Sequence, residues 1–411
     1  MKTRTGTTVG MNRTAIYISC YLMALMEGFD SQIMSLTVPK IAKAWGVPAP
    51  DFALVFSATA LGMAFGAAVV GYLADRSGRK WALIASMFFL GVLTFGITQA
   101  TTIPMLIGLR FLSGICMGGT LVNIITIASD ASPPENRVRN VMLVYTGASA
   151  GPLIASLIGG ALFKQGDWQP IFYIGSAMAL ACIALPLMFV KGGKPPQRMV
   201  VGDDGKERAA TRAQLFSSRY RARTFALCGA ELVSLAAVFL LTNWLPTIMS
   251  RSTGSVSTAS LFTSLIYVGA ILGVLGLSMI VKRVGPTRML GIVFTVAAAV
   301  CVIVHLALAN PGPIVVASLV ILGVCIIGGQ ITLHSLGGHI YPAEIRATGV
   351  GLALAVGRAG AMGGPLIGGY LLASPDLRDS VFLGLGAIVL LAAGMVTLLG
   401  WVTRNDEVEA A

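Results

Sequence analysis

Two carboxylates, Glu27 and Asp30, stand three residues apart inside a long apolar run, in Leu25-Met26-Glu27-Gly28-Phe29-Asp30-Ser31-Gln32. At that spacing they share one face of a helix. Two arginines have similar settings: Arg110 in Gly108-Leu109-Arg110-Phe111-Leu112 and Arg358 in Ala355-Val356-Gly357-Arg358-Ala359-Gly360. Burial disfavours a charged carboxyl and a neighbouring guanidinium favours it, so a carboxylate whose arginine moves can load and release a proton. A guanidinium also suits a carboxylate ligand, which it grips through two parallel hydrogen bonds. The chemistry on offer is proton exchange and anion capture.

The setting of these charges is a membrane. Of 411 residues, 55% are hydrophobic and 11% charged, against about a quarter charged in soluble domains. Apolar runs of bilayer-spanning length recur throughout. They predict twelve helices, at about 14–38, 52–74, 81–99, 103–128, 139–163, 169–190, 222–249, 258–282, 288–308, 313–340, 347–372 and 380–402. The polar start followed by a full-length apolar run does not have the form of a cleavable signal peptide. A net charge of +12 would suit nucleic acid, but its distribution argues against that. Of 29 Lys and Arg, 22 fall on the side of both termini, five on the other (Lys40, Lys43, Lys164, Arg251, Arg378), and two within spans. By the positive-inside rule both termini are expected in the cytoplasm, with the chain in the plasma (inner) membrane. The six cysteines all fall in apolar runs without metal-type spacing and read as buried thiols. No metal or cofactor is expected.

The chain divides in two. Residues 1–190 and 222–411 each hold six expected helices, joined by a polar, basic cytoplasmic linker at 191–221. The halves echo each other: Gly147-Ala148-Ser149-Ala150-Gly151-Pro152-Leu153-Ile154 in the fifth helix resembles Gly360-Ala361-Met362-Gly363-Gly364-Pro365-Leu366-Ile367 in the eleventh. Internal repeats of this kind suggest a transporter with its site at mid-membrane between the halves. Charged junctions read as conformational latches: Asp75, Arg76, Gly78 and Arg79 after helix 2, Asp130 and Arg137 after helix 4, and Glu344 and Arg346 after helix 10.

Depth decides which charges can meet. Helix 1 runs outward and helix 4 inward, so Asp30 and Arg110 fall at similar depth beyond the middle, while Glu27 sits nearer the midplane. Arg358 lies about eleven residues into its span, about 16 Å at 1.5 Å per residue, near the centre of a hydrocarbon core about 30 Å thick. Intramembrane ionisable groups are functional by default; the plainer reading of Asp30–Arg110 is an ion pair that locks helices 1 and 4. Glu231 reads as a second proton site or a structural partner. Gln330 and His334, at i and i+4, could line a cavity or make structural hydrogen bonds. Trp244, Tyr267 and Phe29 could stack on an aromatic ligand, although packing is the commoner role of such rings.

The segment Gly71-Tyr72-Leu73-Ala74-Asp75-Arg76-Ser77-Gly78-Arg79-Lys80 closely resembles the loop signature of the major facilitator superfamily. Glu27-Gly28-Phe29-Asp30 and Tyr341-Pro342-Ala343-Glu344-Ile345-Arg346-Ala347-Thr348-Gly349, followed by Gly357-Arg358 and Gly364-Pro365, are similar to the aromatic acid:proton symporter family within it. The likeness spans nearly the whole chain. It implies an all-α fold of twelve transmembrane helices in two pseudo-symmetric six-helix bundles, alternating access, a monomer, and proton-driven uptake of an aromatic carboxylate such as a hydroxybenzoate. Departures exist: Glu27 stands where that family commonly has Asp, Asp130 where it has Glu, and Lys282-Arg283 replace an acidic loop residue.

Together these features assign Asp30 and Glu27 to proton carriage, Arg110 to coupling and Arg358 to the substrate carboxylate, with Glu27, Phe29, Gln330, His334, Tyr267 and Trp244 around the ligand. The alternatives are a carrier of another organic anion or a proton-linked drug exporter. Gly151-Pro152 is followed by Leu153-Ile154-Ala155-Ser156 rather than the exporters' Gly-Pro-x-x-Gly-Gly, which favours uptake. An enzyme is disfavoured: His334 and Ser335 are adjacent, about 100° apart on a helix, and cannot form a dyad, and no His-Glu-x-x-His motif occurs. A transporter-like sensor would share the binding residues but would usually add a signalling domain.

Overall fold

Backbone groups in lipid find no water, so apolar runs of this length satisfy their hydrogen bonds internally, as helices. The computed structural model describes residues 13–133, 136–165, 167–190, 215–217, 220–341 and 343–409. Six helical spans form the first half: α1 (Arg13–Trp45), α2 (Ala53–Ser77), α3 (Arg79–Ile97), α4 (Ile103–Ala131), α5 (Arg137–Tyr145 continued by Gly147–Leu162) and α6 (Gln169–Ala181 with Ala184–Phe189). The second half repeats them as α7 (Arg221–Thr253), α8 (Val256–Val284), α9 (Pro286–Ala307), α10 (Pro313–Leu322, a π segment Gly323–Gly328, then Gly329–Ile340), α11 (Ala343–Ala373) and α12 (Val381–Glu409). Most of the expected linker, 191–214 and 218–219, lies outside the described residues.

Among the described residues eleven helices are long and apolar enough to cross a membrane; α1 is the twelfth span and falls short of that standard. The polar side chains at its centre account for this, and they are hidden inside the protein: Glu27 is 4% exposed, Asp30 0% and Gln32 4%. The helix also passes through Pro39 and runs seven residues beyond its expected end, because Ile41 and Ala42 are still buried.

Close backbone crossings repeat in both halves. A Cβ at Gly151 of α5 would stand 2.0 Å from the Leu25 carbonyl oxygen of α1, and one at Gly364 of α11 would stand 2.3 Å from the Ala236 carbonyl oxygen of α7. Only glycine permits such contact, the usual device for packing helices where lipid supplies no hydrophobic drive. Gly151→Val is therefore expected to separate α1 from α5 and destabilise the protein by about 1–3 kcal/mol. A thermal melt of detergent-purified protein checks this, with an unchanged midpoint counting against the crossing.

Candidate functional site

The twelve alternating spans bring the start of α1 and the end of α12 to one face, here the termini face. On the opposite, far side the two bundles touch. Ser57 of α2 donates to the Met362 carbonyl of α11 at 2.8 Å, Phe56 meets Trp244 edge-on with centroids 5.4 Å apart, and Ser257 of α8 donates to the Gly160 carbonyl. Towards the termini face they part around a cavity of about 460 Å³. Its first-half wall includes Ser129, Tyr145 and Ser149; Ile271, Ile331 and His334 line the other side. Tyr267 donates to Gln32 Oε1 across the α8–α1 seam near mid-membrane.

Asp30 and Arg110 form a closed unit beside this seam. Arg110 Nη1 donates to Asp30 Oδ2 at 2.9 Å, and its Nε to Thr59 Oγ1 at 3.3 Å. Thr94 Oγ1 donates to the other carboxylate oxygen, Asp30 Oδ1, at 2.6 Å. Arg110 is 1% exposed, so both charges are out of water and each is held by the other.

Glu27 and Arg358 are unlike that pair. Glu27 Oε2 is buried and has no hydrogen-bond partner among the described residues. Arg358, half-buried at mid-depth on α11, makes no hydrogen bond or ion pair with another described residue. Arg358 is nevertheless close enough to act on Glu27 through space, as is Asp30. Arg358, Glu27 and Glu231 also act through space on Tyr145, whose side chain lines the cavity.

Tyr145, Thr59 and Thr94 were not singled out from the sequence. Hydroxyls are too common in helices to flag the two threonines. For Tyr145 a signal exists in the repeat: six residues before Gly151 stands Tyr145, and six before Gly364 stands Arg358. The two are pseudo-equivalent, one on each bundle.

The aromatic candidates divide. Phe29 does not face the cavity. It is fully buried and its ring packs against Gly175 of α6, because each helical step turns the side chain by about 100° and the preceding Gly28 faces α5. Nor does Trp244 face it: the fully buried indole donates to the Pro365 carbonyl at 2.9 Å and sits in the far-side seam. Gln330 is buried behind the wall rather than lining it, with its amide on Glu231 at 2.8 Å. Of the residues expected around the ligand, His334 is in the wall itself.

At the termini face, Gly78 has φ +99°, a value that admits glycine readily and turns α2 into α3. Arg79 pairs with Asp130, joining α3 to the end of α4. Arg76 lies over the Tyr72 ring, 4.5 Å from its centroid. Asp75, Arg137, Glu344 and Arg346 lie outside the residues whose side chains are described.

The chain is 30% identical to the 4-hydroxybenzoate transporter PcaK of Pseudomonas aeruginosa, over 95% of this chain and 93% of that one. It is 31% identical to the 3-(3-hydroxy-phenyl)propionate transporter of Escherichia coli, over 97% and 94% respectively. In fold it is similar to a bacterial homologue of the human lysosomal transporter Spinster, with a TM-score of 0.77 at 16% identity, covering 96% of this chain and 98% of that one. The model of the Major Facilitator Superfamily matches twice, over residues 20–248 and 227–410. The chain therefore belongs to the Major Facilitator Superfamily, among its aromatic acid transporters.

Proposed function

We propose that this protein is a proton-coupled symporter that imports a small aromatic carboxylate of the hydroxybenzoate kind. The observation that carries the reading is Arg358: a guanidinium at mid-membrane depth that acts through space on Glu27 and the cavity-lining Tyr145, with no hydrogen-bond or ion-pair partner among the described residues. A half-buried guanidinium has lost part of its water without gaining a hydrogen-bonded partner, and an incoming carboxylate supplies one, through two hydrogen bonds. Apolar side chains such as Ile271 and Ile331 line the cavity and suit a ring. The relatives' printed substrates, 4-hydroxybenzoate and 3-(3-hydroxyphenyl)propionate, have both parts.

Glu27 is the proton carrier nearest the ligand. A charged carboxylate with an unpaired buried oxygen is costly, so Glu27 is a place to bind a proton, and substrate bound to Arg358 removes its nearest counter-charge. Asp30, held by Arg110 and Thr94, is the second carrier and releases its proton when Arg110 engages it. An anion entering against an inside-negative potential faces about 2.3 kcal/mol per 100 mV; one proton cancels that, and a second reverses it.

With both termini cytoplasmic, in the inner membrane, the structure is the inward-open state, and alternating access closes the termini face while the far-side contacts of Ser57, Trp244 and Ser257 part. The Arg79–Asp130 pair is one of the contacts that hold the helix ends in this state. The halves at 1–190 and 222–411 move as the two rigid bodies, as a monomer.

Uptake of labelled 4-hydroxybenzoate into proteoliposomes tests the reading. Accumulation above equilibrium is expected under an inward proton gradient and abolished by a protonophore. Gradient-independent equilibration, or no uptake of any aromatic acid, would overturn it.

A further inference from the structure

Glu231, on α7, is 2% exposed and has no part in the ion pair of the first half. Its carboxylate accepts from Gln330 Nε2 at 2.8 Å and lies 3.0 Å from His334 Nδ1. Gln330 and His334 share a face of α10 directly after the π segment Gly323–Gly328. A π turn inserts an extra residue and shifts the phase of the helix beyond it, and such turns gather at functional sites. Here the shifted face presents both side chains to Glu231.

This arrangement fixes the imidazole. An ionised Glu231 only accepts; the hydrogen shared with His334 is then carried on Nδ1, and in the neutral ring that tautomer leaves Nε2 as an acceptor. The nearest donor to Nε2 is Gln330 Nε2 at 3.5 Å, beyond the range of a good hydrogen bond. The His334 side chain is 29% exposed and lines the cavity. A carboxylate behind an imidazole is the pair that, in hydrolases, holds a hydroxyl. Among the described residues no hydroxyl of the protein fills that place.

The position relative to Arg358 matters too. Arg358 lies fifteen residues into α11 and His334 six residues from the end of α10, or about 22 Å and about 9 Å from the termini face at 1.5 Å per residue. The difference in depth of about 13 Å is comparable with an arginine side chain and a benzoate ring laid end to end. Between the two levels Ile271, Val274 and Ile331 line one wall, and Tyr145, Thr146 and Ser149 the other.

We propose that His334, oriented by Glu231, accepts the hydrogen of a ring hydroxyl on the transported acid, so that the cavity selects hydroxylated aromatic carboxylates over unsubstituted ones. The proposal rests on the symporter reading and adds its specificity determinant. Glu231 and Gln330 are positioning residues; His334 makes the contact.

Competition against labelled 4-hydroxybenzoate uptake in proteoliposomes tests it, with 4-hydroxybenzoate, 3-hydroxybenzoate, 4-methoxybenzoate and benzoate as competitors. In the wild-type protein at least one hydroxybenzoate is expected to compete about 10-fold or more better than benzoate. The methoxy compound, which has lost the donor, should behave no better than benzoate. His334→Leu and Glu231→Gln should each bring the hydroxybenzoate-to-benzoate ratio towards one. Equal competition by benzoate and both hydroxybenzoates in the wild type would overturn the proposal and leave the symporter standing, as would full discrimination retained in His334→Leu. The wild-type series alone decides if either variant fails to reach the membrane. No uptake of any aromatic acid is a different result: it removes the symporter reading, and this proposal with it.

Discussion

Arg358→Ala is expected to lower proton-driven uptake of 4-hydroxybenzoate by at least about 30-fold, because truncating one partner of a buried hydrogen-bonded charge pair costs about 2–5 kcal/mol. The loss should appear in binding as well as in flux, since Arg358 is the cation that acts on both Glu27 and Tyr145. Folding should suffer little, because Arg358 holds no other described residue by hydrogen bond or ion pair. Arg358→Lys keeps the charge but loses the planar fork and should recover only part of the affinity. Ligand-induced thermal stabilisation of the purified variants, read alongside uptake, separates the cases. An Arg358→Ala protein stabilised by 4-hydroxybenzoate as strongly as wild type would end its role as carboxylate anchor.

Asp30→Asn should fail differently. The substitution leaves Arg110, 1% exposed, without its charge partner, and breaking a buried pair from one side costs about 3–5 kcal/mol. Both accumulation and thermal stability are expected to fall. Glu27→Gln provides the contrast: Glu27 Oε2 holds nothing, so stability should stay close to wild type while proton-driven accumulation is lost and counterflow of labelled acid continues. Measuring the melting midpoint, accumulation and counterflow for both variants checks the division. Undiminished accumulation in Glu27→Gln would remove it from proton carriage. Wild-type stability in Asp30→Asn would show that the pair does not lock α1 to α4.

The two carboxylates of α1 thus have different surroundings, and that difference was hidden in the sequence. Spacing put Glu27 and Asp30 on one face, and depth put Arg110 opposite Asp30. Neither could show that Thr94, from α3, would fill the second oxygen of Asp30 and leave Glu27 without a donor. Side-chain hydrogen bonds between helices depend on rotation about each helix axis, which an apolar pattern nearly uniform around the helix does not encode.

The amino-acid sequence by itself determined the class and frame of this protein. Apolar runs of bilayer length, basic junctions on one side and the Gly-Pro repeat of the fifth and eleventh helices require twelve spans in two similar halves, because lipid leaves the backbone no alternative to helix. It also marked Glu27, Asp30, Arg110 and Arg358, since charges inside apolar runs are visible without any knowledge of packing. Only the tertiary structure decided which of these charges are paired, that Phe29 and Trp244 turn away from the cavity, and that Glu231, Gln330 and His334 converge from α7 and α10. The physical reason is the same in each case. A residue's depth follows from its place along one helix, whereas its partner follows from how two helices are rotated and crossed, and that is fixed by contacts such as Leu25 on Gly151 that couple distant parts of the chain.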